Sequence, residues 1–476
     1  MHPNCKDIAC APSRSCRTPL LAVLHRGVFF AGLVLVLAAC AGRPIGVMEP
    51  TNHTANGTTK VELIAATTRA PAVDKAVLFT GERGTGLMID AVTLSIPPDA
   101  NREIGQVQWP KRLPADPLKE FTTVAVDPIT SEKEGEGWLK THVPKSRRVL
   151  VFVHGFNNLY EEAVYRFAQI VHDSKADVVP VVFTWPSRGS IFDYNYDKET
   201  RAGAGGTVGA AEVARAAPDG YKLLMVFDSY ATYSLTYPKL PFNPAKDLAP
   251  VTQIARNPAV GKVTVMAHSM GTWLAVEALR QMAIRHGRVD PKIGNVILAA
   301  PDLDVDVFGQ QFQSFAGKAP HFTLFVSRDD RALTLSKHIS GNVDRLGHID
   351  PTAEPYRSQL EMAGISVLDL TKLKSGDALN HGKFAESPEV VRLIGDRLIA
   401  GQAVTDSSVG LGESLGAVAI GAGTTVGQAA STVISAPISI FDPRTRRNYG
   451  RQWLLLGNSA GNTIGAAGTV LTPTRP

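Results

Sequence analysis

Short apolar segments alternate with helical segments through the middle of the chain, and this alternation limits the possible folds most strongly. Three of the apolar segments are 148–153 (RVLVFV), 262–267 (KVTVMA) and 321–326 (HFTLFV). They are apolar at nearly every position, which is typical of strands that are buried on both faces. The alternation predicts an α/β domain whose mostly parallel sheet is covered by helices on both faces. Further strands of this kind are predicted at 178–185, 295–300 and 365–370.

A serine follows one of these strands directly. The peptide AHSMG, from Ala267 to Gly271, joins strand 262–267 to a helix predicted to begin at Met270. A sharp strand-to-helix turn of this kind needs small flanking residues and exposes a serine hydroxyl at the edge of the sheet. The usual pattern is G-x-S-x-G, and here Ala267 replaces the first glycine. The pattern predicts an α/β-hydrolase fold with Ser269 as the nucleophile.

A serine hydroxyl needs a base to remove its proton and an acid to orient that base. In this fold the acid precedes the histidine, and both follow the serine along the chain. The loop after strand 321–326 contains two adjacent carboxylates, Asp329 and Asp330. We choose Asp330 as the acid and keep Asp329 as the alternative, because one of the pair can cap the next helix instead. A second-tier group of acids follows the preceding strand, at Asp302, Asp304 and Asp306.

The base is expected in the loop after the last predicted strand. His381 lies there, between strand 365–370 and a helix predicted at 388–400. We therefore predict His381 as the base. His348, in a loop bounded by glycine and proline, is the alternative.

Two backbone N–H groups should stabilise the oxyanion that forms during acyl transfer. One is expected at Met270, directly after the nucleophile, and the other in the loop after strand 148–153. That loop begins His154-Gly155-Phe156, where Gly155 allows close approach to a substrate. We predict Phe156 as the second donor.

Several other classes of function find no support in the sequence. The core has no HExxH motif, no phosphate-binding glycine loop and no cysteine pair, so the proposed chemistry needs neither a metal nor another cofactor. The formal charge is +5 without a dense basic run, which gives no case for nucleic-acid binding.

The N-terminal segment resembles a bacterial lipoprotein signal. Residues 1–39 combine scattered arginines with an apolar run too short to span a bilayer comfortably, and they end at the lipobox-like Leu37-Ala38-Ala39-Cys40. We expect cleavage before Cys40 and lipidation of its thiol. A membrane lipid anchor would then hold the protein in the cell envelope, on the periplasmic face of the outer membrane.

Two further regions flank the predicted hydrolase domain of residues 61–400. Residues 40–60 are polar and rich in Gly, Thr and Asn, so we predict a flexible tether. Residues 401–476 form a low-complexity, Gly/Ala-rich region, which we predict to be a surface helix or a mobile tail.

The domain also resembles a family of bacterial α/β hydrolases of unknown function. The resemblance spans about residues 61–400 apart from one segment, and it rests on VLVFVHGFNN, VTVMAHSMGTWLAVEALRQ and SRDDRAL, among other motifs. It implies an esterase- or lipase-like fold with Ser269, Asp330 and His381 in the triad positions.

The exception is segment 201–260, which resembles the periplasmic solute-binding proteins of tripartite tricarboxylate transporters. This segment is too short for either lobe of such a protein, so we expect no solute site. It lies where the hydrolase fold needs a crossover helix, and the Ala-rich stretch 208–217 is the candidate replacement. A poor replacement would cost on the order of several kcal/mol, so we predict a stability deficit.

Two functions remain in competition. The first is hydrolysis of a small ester or lipid substrate through an acyl-serine intermediate. The second is a non-catalytic envelope lipoprotein that uses the hydrolase fold as a binding scaffold, because the foreign segment could displace Ser269 from His381.

Overall fold

One sheet forms the centre of the molecule. The computed structural model describes residues 45–51, 55–202, 259–315, 319–373, 377–395 and 439–441. Within them the strands are β1 (Thr59–Pro71), β2 (Phe79–Ile96), β3 (Thr122–Pro128), β4 (Arg148–Val153), β5 (Val179–Thr184), β6 (Lys262–His268), β7 (Ile293–Ala299), β8 (His321–Val326), β9 (Ser366–Asp369) and β10 (Ser439–Phe441). Their spatial order is β10-β9-β8-β7-β6-β4-β5-β1-β2-β3.

Most neighbouring strands run parallel. The pairs from β9 through β8, β7, β6 and β4 to β5 are all parallel, as is the pair of β5 with β1. Only the outer pairs, β1 with β2, β2 with β3, and β9 with β10, are antiparallel. The carboxyl ends of the parallel strands therefore meet at one edge, which is where ligand sites form in sheets of this kind.

Helices connect the strands and cover the sheet. In the described part of the chain the α-helices are α1 (Glu132–His142), α2 (Tyr160–Ser174), α3 (Tyr194–Ala202), α4 (Gly271–His286), α5 (Val305–Gln313), α6 (Arg331–Ile339), α7 (Tyr356–Ala363), α8 (Lys383–Glu386) and α9 (Pro388–Leu393). Short 3₁₀ helices lie at Asp99–Asn101, Ile191–Asp193 and Leu346–His348.

The apolar strands are buried on both faces, as their sequences predict. Phe152 of β4 lies in a core cluster with Phe167 of α2, whereas its neighbour Val153 lies in a second cluster with Leu274 of α4. Alternate residues of one strand thus enter two different cores, because successive side chains of a strand point to opposite faces. The predicted fold class, an α/β-hydrolase fold with helices on both faces, is confirmed.

Two boundary predictions need correction. The predicted tether at 40–60 is wrong for Val47 and Met48, which are apolar and buried in the core beside α2. The Val47 carbonyl also accepts hydrogen bonds from the Thr123 and Tyr165 hydroxyls, at 2.8 and 2.9 Å. The predicted tail is wrong for residues 439–441, which pair with β9 as an edge strand. Helix 208–217, Cys40 and residues 396–400 of the helix predicted at 388–400 lie outside the described residues.

Candidate active site

Ser269 lies in the turn between β6 and α4 and has a left-handed backbone conformation, with φ of 52°. A non-glycine residue is strained there by about 1–3 kcal/mol, and such strain persists only where the surroundings impose it. The Ser269 N–H donates to the Ala299 carbonyl at 2.9 Å, and the Ser269 carbonyl accepts the Thr272 hydroxyl at 2.6 Å. These bonds hold the sharp turn that the A-x-S-x-G pattern predicts.

Two glycines bring this turn into contact with the loop after β4. A Cβ atom on Gly271 would overlap the His154 carbonyl oxygen, and one on Gly155 would lie 2.7 Å from Ser269 Cβ. Only glycine permits so close an approach at these two positions. The loop that contains the predicted oxyanion donor is therefore packed directly against the predicted nucleophile.

The predicted acid and base are in contact with each other. The His381 Nδ1–H donates to Asp330 Oδ2 at 2.7 Å, and the Asp330 carboxylate is fully buried. The other oxygen, Oδ1, accepts the Leu333 N–H at 2.9 Å and caps helix α6. Asp330 therefore fills both roles that we predicted for the Asp329–Asp330 pair, since it contacts the histidine and also caps the helix. With Nδ1 protonated, a neutral His381 ring has its lone pair at Nε2.

His381 lies beside the residue that precedes Ser269. Its ring centroid is 4.6 Å from that of His268, and the His268 ring also packs against Phe384 at 4.5 Å. Among the described contacts, no hydrogen bond joins Ser269 Oγ to His381. In such sites this bond commonly tightens only when the substrate binds.

The two neighbouring imidazoles differ in their affinity for protons. Burial disfavours the charged form of His381, but the Asp330 carboxylate outweighs this effect and raises the pKa of His381 above its ordinary value. Burial, together with the nearby His381, lowers the pKa of His268 well below its ordinary value. His268 therefore stays neutral at pH values at which His381 can accept a proton.

The alternative acid and base have other partners. Both carboxylate oxygens of Asp329 bind Lys383 Nζ, at 2.7 and 2.9 Å. His348 Nε2 is hydrogen-bonded to the Thr334 hydroxyl at 3.2 Å, and among the described residues no hydrogen bond joins it to Asp330. The geometry thus favours the pair of Asp330 and His381 over either alternative.

The two predicted oxyanion donors are both available. Within the described residues, neither the Phe156 N–H nor the Met270 N–H has a hydrogen-bond acceptor. By contrast, the next two peptides of the loop are engaged, because the Asn157 N–H donates to Asp197 and the Asn158 N–H to the Ser187 hydroxyl, each at 3.2 Å. Among the described residues, the loop thus leaves the Phe156 N–H without an acceptor, while the two N–H groups after it are hydrogen-bonded.

Arg69 of β1 is hydrogen-bonded to the loop that follows β4. Its fully buried guanidinium donates to the Asn158 carbonyl at 2.7 Å and the Ser187 carbonyl at 2.8 Å, and it lies 3.3 Å from His154 Nε2. Burial and the Arg69 charge lower the pKa of His154 to about 3, so this ring is neutral. His154 Nε2 accepts the Trp185 N–H at 3.1 Å, and its Nδ1 contacts the Gly155 carbonyl at 2.7 Å.

Sequence reasoning missed Arg69 and Lys383. The only sequence signal for Arg69 is a charge at the end of an apolar strand, in VELIAATTRA, and Lys383 has no signal of its own. Among the described residues, no group of three or more His, Cys, Asp or Glu side chains is arranged to hold a metal ion.

These features define the class of the protein. A parallel sheet in this strand order, with a serine turn after β6 and carboxylate and histidine loops after β8 and β9, is that of an α/β hydrolase. Residues 131–207 and 244–397 match the model of a family described as "Alpha/beta hydrolase of unknown function (DUF900)". The matched part of the chain belongs to this family.

A second family model matches across the gap in the first. Residues 198–271 match the tripartite tricarboxylate transporter family receptor, so the match extends from α3 through β6 and past Ser269. The chain is also 45% identical over 60 residues to the "UPF0065 protein in the TAR-I ttuE-ttuC' intergenic region" of Agrobacterium vitis. That alignment covers 13% of this chain and 17% of the relative, so the chain spans only a small part of the relative's length.

Proposed function

We propose that this α/β hydrolase is a serine hydrolase that cleaves carboxylic esters through an acyl-serine intermediate. The observation that supports this most strongly is the 2.7 Å hydrogen bond from His381 Nδ1–H to the buried Asp330 carboxylate. It leaves Nε2 of the neutral ring as the basic atom, and His381 lies beside the turn that holds Ser269.

The reaction follows from these positions. His381 Nε2 takes the hydroxyl proton of Ser269 while Ser269 Oγ bonds to the ester carbonyl carbon. The negative charge that develops on the carbonyl oxygen is stabilised by the N–H groups of Phe156 and Met270, which have no acceptor among the described residues. When the intermediate collapses, the bond from the carbonyl carbon to the ester's alcohol oxygen breaks, and His381 gives its proton to that oxygen, so that the alcohol leaves. Water then repeats the sequence, with His381 as base, and releases the carboxylic acid and free Ser269.

A fluorophosphonate probe tests the proposal directly, because it phosphonylates only serines that a neighbouring base activates. We expect stoichiometric labelling, located at Ser269 by peptide mass spectrometry, and turnover of nitrophenyl esters over a panel of acyl-chain lengths. The variant Ser269→Ala should lose both while retaining its far-UV circular dichroism spectrum. The matched control is Ser314→Ala, at the end of α5, which should retain both.

The same experiment can also contradict the proposal. A folded sample that neither labels nor turns over esters would contradict the enzyme and favour a non-catalytic binding scaffold. The match to the transporter receptor motivates this alternative, because it extends across β6 and Ser269.

We further propose that Cys40 carries a lipid anchor that holds the protein at the periplasmic face of the outer membrane. The support is the sequence Leu37-Ala38-Ala39-Cys40 after a short apolar run. In the described part of the chain, no helix is long and apolar enough to cross a membrane. Labelled palmitate should be incorporated into the expressed protein, and Cys40→Ser should abolish incorporation and release the protein from the membrane fraction.

A further inference from the structure

We propose that Lys383 and Asp329 act as positioning residues that hold His381 against Asp330. They do so by joining the acid loop (327–331), which contains Asp330, to the base loop (377–383), which contains His381. The Lys383–Asp329 clasp comprises Ser327 and Asp329 of the acid loop, and Asn380 and Lys383 of the base loop. This inference rests on the proposed function, in which His381 is the base.

The Lys383 ammonium joins three segments of the chain. Its Nζ lies 2.7 and 2.9 Å from the Asp329 carboxylate oxygens and 3.1 Å from the Ser327 hydroxyl. It also donates to the Leu370 and Thr371 carbonyls, which follow β9, at 3.1 and 3.2 Å. Lys383 is only 2% exposed. A lysine is rarely buried so completely unless its charge is paired, and here the pairing partner is Asp329.

A second contact closes the clasp from the other side of His381. The Asn380 side-chain amide donates to Asp329 Oδ2 at 3.0 Å and to the Asp329 carbonyl at 3.3 Å. Asn380 itself has a left-handed backbone, with φ of 56°, which asparagine tolerates better than most residues. Asp329 is thereby bound by residues on both sides of His381.

The positions of these residues, next to Asp330 and His381 in the chain, distinguish the clasp from an ion pair that only stabilises the fold. Asp329 precedes the acid Asp330 in the chain, and Asn380 and Lys383 flank the base His381. The hydrogen bond between His381 and Asp330 is therefore bracketed by contacts between the same two loops. A displacement of about 1 Å in such a pair can cost about 100-fold in rate, so the clasp controls a distance to which the reaction is sensitive.

The charges of the clasp also matter. Burial alone would raise the pKa of Asp329, but the hydrogen bonds from Lys383 and Ser327, together with the Lys383 charge, outweigh burial and lower the pKa. Asp329 is therefore ionised near neutral pH. Removing Lys383 alone would leave a negative charge near His381, whereas removing both charges together leaves the local net charge unchanged.

The test therefore uses the double variant Lys383→Met/Asp329→Asn in the full-length protein. Histidine-selective NMR titration would measure the pKa of His381, assigned by comparison with His381→Gln. We expect this pKa to fall towards the ordinary value in the double variant, because the Asp330 hydrogen bond is loosened while the local net charge stays the same. The rate of fluorophosphonate labelling per folded molecule should fall about 10- to 100-fold. In ester turnover, kcat should change more than KM.

The matched control is Arg280→Met, which breaks a contact to the buried Glu277 on α4 (Arg280 Nε to Glu277 Oε2, 2.9 Å), away from both loops. It should leave the pKa of His381 and the labelling rate per folded molecule unchanged. If the double variant loses stability but keeps the wild-type pKa of His381 and the wild-type labelling rate per folded molecule, the clasp is merely structural and the inference is overturned. If the wild-type protein does not label at all, the proposed function fails, while the NMR titration still decides whether the clasp positions His381.

Discussion

The two halves of the candidate site are held in place by different means. In the acid–base corner (327–331 and 377–383), charged side chains bridge separate loops, as in the contacts of Asp330 with His381 and of Asp329 with Lys383. In the oxyanion corner (154–158 and 268–271), the absence of side chains at two glycines allows close packing, with Gly155 against the side chains of Ser269 and His268, and Gly271 against the backbone of His154. The first corner should therefore be sensitive to the loss of charge at constant size, and the second to added volume at constant charge.

The largest expected effect comes from removing one charge from the acid–base corner. Asp330→Asn keeps the size and the helix-capping ability of residue 330, since asparagine caps helices about as well as aspartate. It removes the negative charge that orients His381 and favours the productive tautomer. We expect kcat to fall by about 10³- to 10⁴-fold, with a melting temperature close to that of the wild type.

The matched control for this variant is Asp330→Ala, which removes both the charge and the cap of α6. It should lose a similar amount of activity and, in addition, about 1 kcal/mol of stability. If Asp330→Asn retained wild-type kcat in the nitrophenyl ester assay, charge would not be what this corner contributes.

The second prediction adds a single methyl group to the oxyanion corner. In Gly155→Ala the new Cβ would lie 2.7 Å from Ser269 Cβ and 2.9 Å from His268 Nδ1, so the loop must move away from the serine. Losing the alignment of one oxyanion donor should lower kcat by about 10²- to 10³-fold. Gly309→Ala, in helix α5 with nothing within 4 Å of the new Cβ, is the control and should leave kcat unchanged. Equal activity of the two variants would contradict the proposed contact.

The two corners also differ in how much of each could be predicted from sequence. Phe156, Ser269 and Asp330 each follow a strand within four residues, and His381 lies in the longer loop after β9, so strand order brings all four to one edge. The strands at 148–153 and 321–326 have the bounds that their apolar runs predict. Such local signals made the fold class and the candidate residues predictable.

The supporting residues could not be predicted in this way. Arg69 binds Asn158, which is 89 positions away, and Lys383 binds Asp329, which is 54 positions away. Neither contact leaves a periodic pattern, because each depends on which loops meet after folding. The burial of Val47 and Met48 was missed for the same reason, since their partners Thr123 and Tyr165 lie far along the chain.

The third prediction tests whether charge matters in the oxyanion corner too. Arg69→Met keeps the apolar stem but removes the donors to the Asn158 and Ser187 carbonyls. Both carbonyls then lose buried hydrogen bonds, and the loop that carries the Phe156 N–H is less firmly held. We expect a loss of about 1–3 kcal/mol in stability and a fall of about tenfold in kcat, with little change in KM.

Arg69→Lys is the informative companion, because it keeps the charge but loses the planar fork that reaches several acceptors at once. If the corner depends on hydrogen-bond geometry, Arg69→Lys should resemble Arg69→Met in kcat. If Arg69→Lys instead matches the wild type, the charge alone is sufficient, and the contrast between the two corners disappears.

The smallest expected effect comes from Asp90 of β2, a buried carboxylate that belongs to neither corner. The Asp330 carboxylate accepts hydrogen bonds from the Leu333 N–H and from His381, whereas Asp90 Oδ2 accepts no hydrogen bond from the described residues. Burial raises the pKa of Asp90 to about 6, so the folded protein binds this proton more tightly than the unfolded chain does. Stability is therefore lost as the pH rises from about 4 to about 6, and the loss persists above that range.

Asp90→Asn removes the titration while keeping the shape of the side chain. At pH 8 we expect the variant to be more stable than the wild type by about 1–2 kcal/mol, whereas below pH 4 the gain should vanish. Urea unfolding at both pH values measures the difference. A gain of the same size at both would show that the unpaired Asp90 charge is not its source. The different importance of the two charges, at Asp330 and at Asp90, could then not be explained by their different hydrogen bonding.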